Sequence, residues 1–216
     1  VFFRFFREAR ATAGLRHPNT VRLYDFGQAD SGALFMAMEL LQGPTLEAVL
    51  RQRAAEGTVL TATEACNLAI AVLKSLAEAH AAHLIHRDLK PDNILLAESG
   101  EDEPAVKVLD FGIARTADSR LTGGNRVLGT PAYMSPEQCR GSADIDGRSD
   151  LYALGVILFR CLTGRLPFTG DLFALLRAHQ EEPLPDLRTL AQTPVPEDMA
   201  RLVERALAKR AEDRFA

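Results

Sequence analysis

Two carboxylates, an amide and an ammonium group are concentrated in one short part of the chain. The stretch His86-Arg87-Asp88-Leu89-Lys90-Pro91-Asp92-Asn93 holds Asp88, Lys90 and Asn93, and Asp110-Phe111-Gly112 follows twenty-two residues after Asp88. Phosphoryl transfer to a hydroxyl needs a carboxylate to orient the nucleophile and take its proton, and cations to neutralise charge on the phosphates. Asp88 has the type for the first task. Asn93, five residues on, offers a neutral oxygen to a hard cation such as magnesium, and Asp110 offers a charged one. Lys90 adds a fixed positive charge near the group in transit.

Other residues admit a plainer reading. His80, His83 and His86 are spaced by three, which invites a zinc site. His80 and His83 instead fall at the end of a helical run, where the dipole favours them. Glu8, Glu137 and Arg214 taken singly are surface charges, and Met38 and Leu95 are core candidates.

These groups need a scaffold, and the chain has material for one. It has 216 residues, 47% of them hydrophobic, which suffices for a sizeable core in one large or two small units. A formal charge of −4 lacks the basic excess of a nucleic-acid binder. Cys66, Cys139 and Cys161 are odd in number and widely spaced, so they suggest neither a disulfide framework nor a zinc site, and a reducing cytosol is expected. The longest apolar run, residues 151–162, is interrupted by Arg160 and is shorter than the ~20 residues of a membrane span. The opening VFFRFFREAR has the look of an amphipathic membrane helix. Phe2, Phe6, Ala9 and Ala13 follow helical spacing, however, and such a stripe is expected to pack on protein.

The pattern predicts a helix over residues 2–14, ending at Gly14, then a turn at His17-Pro18-Asn19. Apolar runs at 21–27 and 34–40, separated by Ala29-Asp30-Ser31-Gly32, predict a hairpin. Thr45 caps a short helix, and Thr61 with Glu64 begins a long one reaching about residue 83. Short strands are expected at 94–97 and 106–109, with an acidic turn at 98–103 between them. Residues 111–134, rich in Gly, Thr and Ser without period, read as one functional loop. Helices resume at 135–140, 149–163, 171–181 and 197–209. Strands and a helix followed by a mainly helical block make an α+β arrangement.

With these residues in order, the chain resembles the serine/threonine protein kinases of the bacterial eukaryotic-like type. HRDLKPDN resembles the kinase catalytic loop, and DFG the magnesium-binding motif. Ser135-Pro136-Glu137 resembles the APE motif, and Gly129-Thr130-Pro131 the loop that receives the residue after the phosphoacceptor. The segment beginning Asp150-Leu151-Tyr152 resembles the start of the large lobe's central helix, and Arg214 the arginine that pairs with the APE glutamate. The motifs fall in family order across residues 2–215. Lys90 and Thr130 favour serine/threonine over tyrosine specificity.

The resemblance implies a kinase-like fold with residues 1–41 as a partial small lobe (helix C and strands four and five) and residues 42–216 as the large lobe. It implies ATP with Mg2+ or Mn2+ as cofactors and protein substrates as partners. It allows dimerisation through the kinase domain and a membrane anchor outside this chain. Asp88, Lys90 and Asn93 would be catalytic, and Asn93 and Asp110 metal ligands. Met38 would be the gatekeeper before the hinge Glu39-Leu40-Leu41, with Leu95 under the adenine ring and Glu8 the partner of an ATP-binding lysine. Arg87 implies control by phosphorylation, with Thr116, Ser119 and Thr122 as candidate acceptors and Thr122 preferred. Glu137 and Arg214 would form a buried pair, and Asp150 would be structural.

Two expected parts are not found in these residues. No G-x-G-x-x-G precedes Glu8, and the first lysine is Lys74. The chain opens with Val1, so a truncated start is expected, with strands one to three of the small lobe missing, and the final helix is expected to be cut off. Ala211 stands where relatives often carry Pro. An alternative reading is therefore a pseudokinase or binding module derived from a large lobe. A small-molecule phosphotransferase is another alternative, although such enzymes generally lack the SPE-type segment.

Overall fold

The computed structural model describes residues 2–98, 105–111 and 131–216, with residues 2–4 and 8 in backbone only. The phosphoacceptor candidates Thr116, Ser119 and Thr122, together with Thr130, lie outside the described residues, as does most of the expected acidic turn.

The helical block is organised around a segment that is apolar on nearly every face. Such a helix must be central. In α5 (Arg148–Thr163) Tyr152, Val156, Ile157, Phe159, Cys161 and Leu162 are all fully buried. The long helix α3 (Ala62–Ala81) and the C-terminal helix α8 (Glu197–Ala206) pack on it. Gly155 permits the close approach to α8, since a Cβ there would lie 3.0 Å from Ala206 Cβ. Thr61 and Glu64 form the expected capping box, each satisfying a backbone amide of the other's end of the turn. Thr45 caps α2 (Leu46–Ala55) by accepting from the Ala48 amide.

Around this core stand α4 (Pro136–Cys139), α6 (Leu172–Glu181) and α7 (Leu187–Leu190). The last is a single turn with too little periodicity to be predicted from sequence. The expected helix at 197–209 ends earlier, at Ala206, where Leu207 caps it. Among the described residues no helix is long and apolar enough to cross a membrane.

The strands form two separate antiparallel pairs. The first joins β1 (Leu23–Gln28) and β2 (Leu34–Met38), with Phe26 opposite Met36. It lies against α1 (Phe2–Ala13), whose Phe5 and Ala9 are buried with Leu23. The stripe thus packs on protein, but it is centred on Phe5 as well as Phe6. The expected start at Val21 is two residues early, because the Val21 amide bonds to the Val108 carbonyl (2.9 Å) in the other sheet.

The second pair joins β3 (Ile94–Ala97) and β4 (Ala105–Val108), with Leu95 opposite Lys107. The expected β4 ran one residue further. Leu109 still donates to the Asn93 carbonyl opposite it (2.8 Å), but the return bond is missing because the Asn93 amide bonds to the Lys90 carbonyl (2.9 Å). Met38, expected in the core, is 39% exposed, and Leu95 is half-buried. The result is the protein-kinase-like α+β fold, with a hairpin and helix set on a mainly helical lobe.

Candidate active site

The loop after α3 is shaped by one buried carboxylate. Asp150, in the first turn of α5, is 1% exposed. Its Oδ2 accepts from the His86 amide (2.9 Å) and lies 2.8 Å from His80 Nε2, while Oδ1 accepts from the Arg87 amide (2.8 Å). Buried backbone amides must find partners, and this carboxylate satisfies two in succession. It holds Arg87 at φ +65°, a conformation most side chains avoid. Gly147 makes room for the arrangement, because a Cβ there would meet His80 Nδ1 at 2.6 Å. From the other side Gln138 of α4 donates to the Arg87 carbonyl (2.7 Å) and accepts from the Ser135 amide (2.9 Å).

His86 is fully buried, with Nε2 2.8 Å from the Leu109 carbonyl and its ring 4.9 Å from that of Phe111. It therefore ties the loop to the segment carrying Asp110. His80 and His86 are committed to Asp150 and Leu109, and no group of three metal-ligating side chains is present among the described residues.

The candidate reacting groups follow at once. Asp88 is partly exposed, with Lys90 Nζ 3.2 Å from its Oδ2. Asn93, buried at the end of a one-turn 3-10 helix (Pro91–Asn93), donates from Nδ2 to the Asp88 carbonyl (2.9 Å). That bond fixes the amide's orientation and leaves its oxygen as an acceptor. The Asn93 carbonyl in turn accepts from Leu109, so Asp110 begins one residue beyond a direct link to Asn93. Asp110 is exposed at φ +52°. Asp88, Lys90, Asn93 and Asp110 are thus gathered by short hydrogen-bonded connections. Asn93 and Asp110 offer hard oxygens of the type a magnesium ion takes, and such ions need only one or two protein ligands.

The linker from β2 to α2 lies over β3. The Leu96 amide bonds to the Pro44 carbonyl and the Glu98 amide to the Gln42 carbonyl, both 2.9 Å. Gly43, at φ +136°, comes so close to the Leu96 carbonyl that a Cβ would clash with it. The Glu39 side chain accepts from Lys107 (2.8 Å), which stands opposite Leu95, and from the Arg22 amide (2.9 Å). Leu40 and Leu41 continue the linker; of Glu8, on α1, only the backbone is described.

Below the site Arg214 makes a two-point contact with Glu137, Nη1 to Oε1 at 2.7 Å and Nη2 to Oε2 at 2.9 Å. The arginine side chain is fully buried and the glutamate 12% exposed. Burial by itself would raise the glutamate's pKa, but hydrogen bonds from Arg214 and Ser149 outweigh it and hold the group at about 2.

Two clusters were not foreseen from the sequence. Tyr133 lies in a 3-10 turn (Pro131–Tyr133) and accepts from Arg160 of α5, which also pairs with Glu47 of α2. Burial pushes the Tyr133 hydroxyl up to about 12. Near the same turn His179 of α6 is fully buried, its Nδ1 2.9 Å from the Tyr152 hydroxyl and its ring edge-on to Phe168. Burial and the nearby Lys209 charge lower its pKa to about 4. Partners such as Glu47 and Arg160 stand 113 positions apart and leave no local pattern. Gln138 did leave one: Ser135-x-x-Gln138 is a capping-box spacing.

Comparison with known proteins agrees with this geometry. The sequence model of the protein kinase domain matches residues 3–216. Serine/threonine-protein kinase Pkn3 of Myxococcus xanthus is 46% identical over 99% of this chain, which covers 39% of that protein. PrkC of Bacillus subtilis is 38% identical over 95% of the chain, which covers 30% of it. The chain therefore spans two-fifths or less of the length of these curated relatives. The crystal structure of the Mycobacterium tuberculosis PknI kinase domain superposes with a TM-score of 0.75 at 30% identity, covering 99% of this chain and 73% of that one. By its family match, its bacterial relatives and its fold, the chain belongs to the protein kinase family, alongside the bacterial serine/threonine protein kinases.

Proposed function

We propose that this chain carries the catalytic centre of a serine/threonine protein kinase, which transfers the γ-phosphate of ATP to Ser or Thr hydroxyls of proteins. The observation that carries this reading is the Asp88–Lys90–Asn93 cluster on a loop whose backbone Asp150 holds. Asp88 orients the acceptor hydroxyl and takes its proton. Lys90, 3.2 Å from Asp88, places its charge beside the phosphoryl group. Asn93 and Asp110 hold the divalent cation, which neutralises phosphate charge when bound. Met38, Glu39, Leu41 and Leu95 border the cleft that takes the adenine, which enters between the linker and β3.

In this reading residues 1–41 belong to the small lobe and residues 42–216 form the large lobe. Glu8 is the candidate partner of a nucleotide-binding lysine supplied by a small-lobe strand, and Thr130 belongs to the loop that receives the substrate. The three cysteines, free in this fold, suit a cytoplasmic setting. The 216 residues by themselves do not complete transfer, because no glycine-rich loop and no lysine before Lys74 fix the phosphates.

The test is to join this sequence to a glycine-rich loop and strand lysine, supply γ-labelled ATP with magnesium and a generic protein acceptor, and analyse the labelled amino acids. Label on serine or threonine is expected. Label on tyrosine alone, or none, contradicts the reading.

A further inference from the structure

Among the described residues, the small upper unit, residues 2–38, is tied to the rest of the chain on both strands at the open end of the hairpin, before β1 and after β2. One tie lies in the turn after α1. There the Asn19 carbonyl and Val21 amide bond to Val108, Asn19 Nδ2 donates to the Val106 carbonyl, and Glu78 accepts from the amides of Arg16 and His17. The other lies where β2 leaves for the linker, and there the side-chain tie to β4 is the ion pair of Glu39 with Lys107.

Glu39 is well placed to transmit position. Its amide bonds to the Arg22 carbonyl and its Oε1 accepts from the Arg22 amide, so it closes the last rung of the hairpin. The same Oε1 receives Lys107 Nζ at 2.8 Å. Lys107 stands opposite Leu95 in the β3–β4 ladder, so the two side chains share a face of that sheet. The side chains of Lys107 and Glu39 are 16% and 19% exposed, enough shelter to fix one geometry. The first tie holds the segment before β1, where Thr20 Oγ1 also lies 2.7 Å from Ser75 Oγ and Leu15 joins the main core, and the second holds the strand that leaves for the linker.

We infer that the Lys107–Glu39 pair is a positioning clasp that sets the gap between the linker and Leu95, and thereby tunes affinity for a purine nucleotide. The inference rests on the reading of that cleft as the nucleotide site. Neither side chain needs to touch the ligand, because both act through the backbone of residues 39–41 and the face bearing Leu95.

The test titrates ADP with magnesium into the 216-residue chain by NMR chemical shift, for the wild type, Lys107→Met, Glu39→Gln, the double variant and Lys107→Arg. Each single neutral variant should weaken binding about fivefold, and the double variant no more than either single one, as expected of coupled contact residues. Lys107→Arg should remain within about twofold, because it keeps the charge. Wild-type saturation with undiminished affinity in both neutral variants overturns the clasp alone. So does a double variant whose loss is the product of the two single losses. No saturable shift in the wild type overturns the nucleotide-site reading itself, and the clasp with it.

Discussion

Arg214 and Glu137, 77 residues apart, meet in a two-point ion pair that joins the segment after α8 to α4. Arg214 spends its remaining donors on the carbonyls of Ala208, Arg148 and Lys209, so the charge is enclosed by acceptors. Ser149, beside Asp150, donates to the same Glu137 oxygen that Arg214 Nη1 reaches. The pair therefore bears on the α5 turn that shapes the catalytic loop.

Glu137→Gln should destabilise the chain by about 3–5 kcal/mol, the usual cost of leaving one partner of a buried pair uncompensated. The carboxylate's folded pKa, about 2, lies below its ordinary 4.5. Its contribution is thus complete above pH 4.5 and disappears as the pH falls towards 2. Chemical denaturation of both proteins at pH 7 measures the difference. Equal midpoints would contradict the pair's role.

His179 should make stability pH-sensitive in a milder range. Its folded pKa, about 4, is below the ordinary 6.5, so the unfolded chain binds the extra proton first. Stability from this group is complete above pH 6.5 and declines as pH falls from 6.5 to 4, at up to about 1.4 kcal/mol per pH unit. The groups facing the ring are the Tyr152 hydroxyl, Phe168, the Lys209 ammonium and the carbonyls of Ala132 and Pro131. Denaturation series between pH 7.5 and 4.5 should show a flatter decline for His179→Gln than for the wild type. Parallel declines would count against it.

Much of this architecture is legible in the sequence because it is locally encoded. The Thr61/Glu64 box, the 29–32 turn between two apolar runs, and the apolar span of α5 from Leu151 to Phe159 each need only neighbours a few positions away. The candidate reacting residues were legible for a related reason: Asp88, Lys90 and Asn93 act on one loop and so occupy one stretch. What the sequence hides is set by distant partners. Nothing near Asp150 announces that it receives two loop amides some 64 residues earlier. Nothing near Glu39 announces that its side chain meets Lys107, 68 positions on. Met38 is a core candidate by residue type, but it is 39% exposed at the end of β2.

Phosphorylation at Thr122 should activate the enzyme. Arg87 motivates this, because a guanidinium can take a phosphate bidentately and Arg87's backbone is fixed on both sides by Asp150 and Gln138. Mapping of phosphosites on an active, completed kinase domain should find Thr122 modified, and Thr122→Ala should lower turnover. An unmodified Thr122, or full activity in the variant, would move the switch to Thr116 or Ser119 or remove it.

The central claim is that Asp88 performs the proton-taking step of phosphoryl transfer. The direct measurement is label transfer from γ-labelled ATP to protein by three proteins: the 216-residue chain, the same sequence joined to a glycine-rich loop and strand lysine, and the Asp88→Asn variant of the latter. The joined wild type should transfer label. The variant should fall about 10²–10⁴-fold while still binding nucleotide, the range a positioned general base contributes. The 216-residue chain should not rise above the variant. Turnover of Asp88→Asn within twofold of the joined wild type would contradict the account.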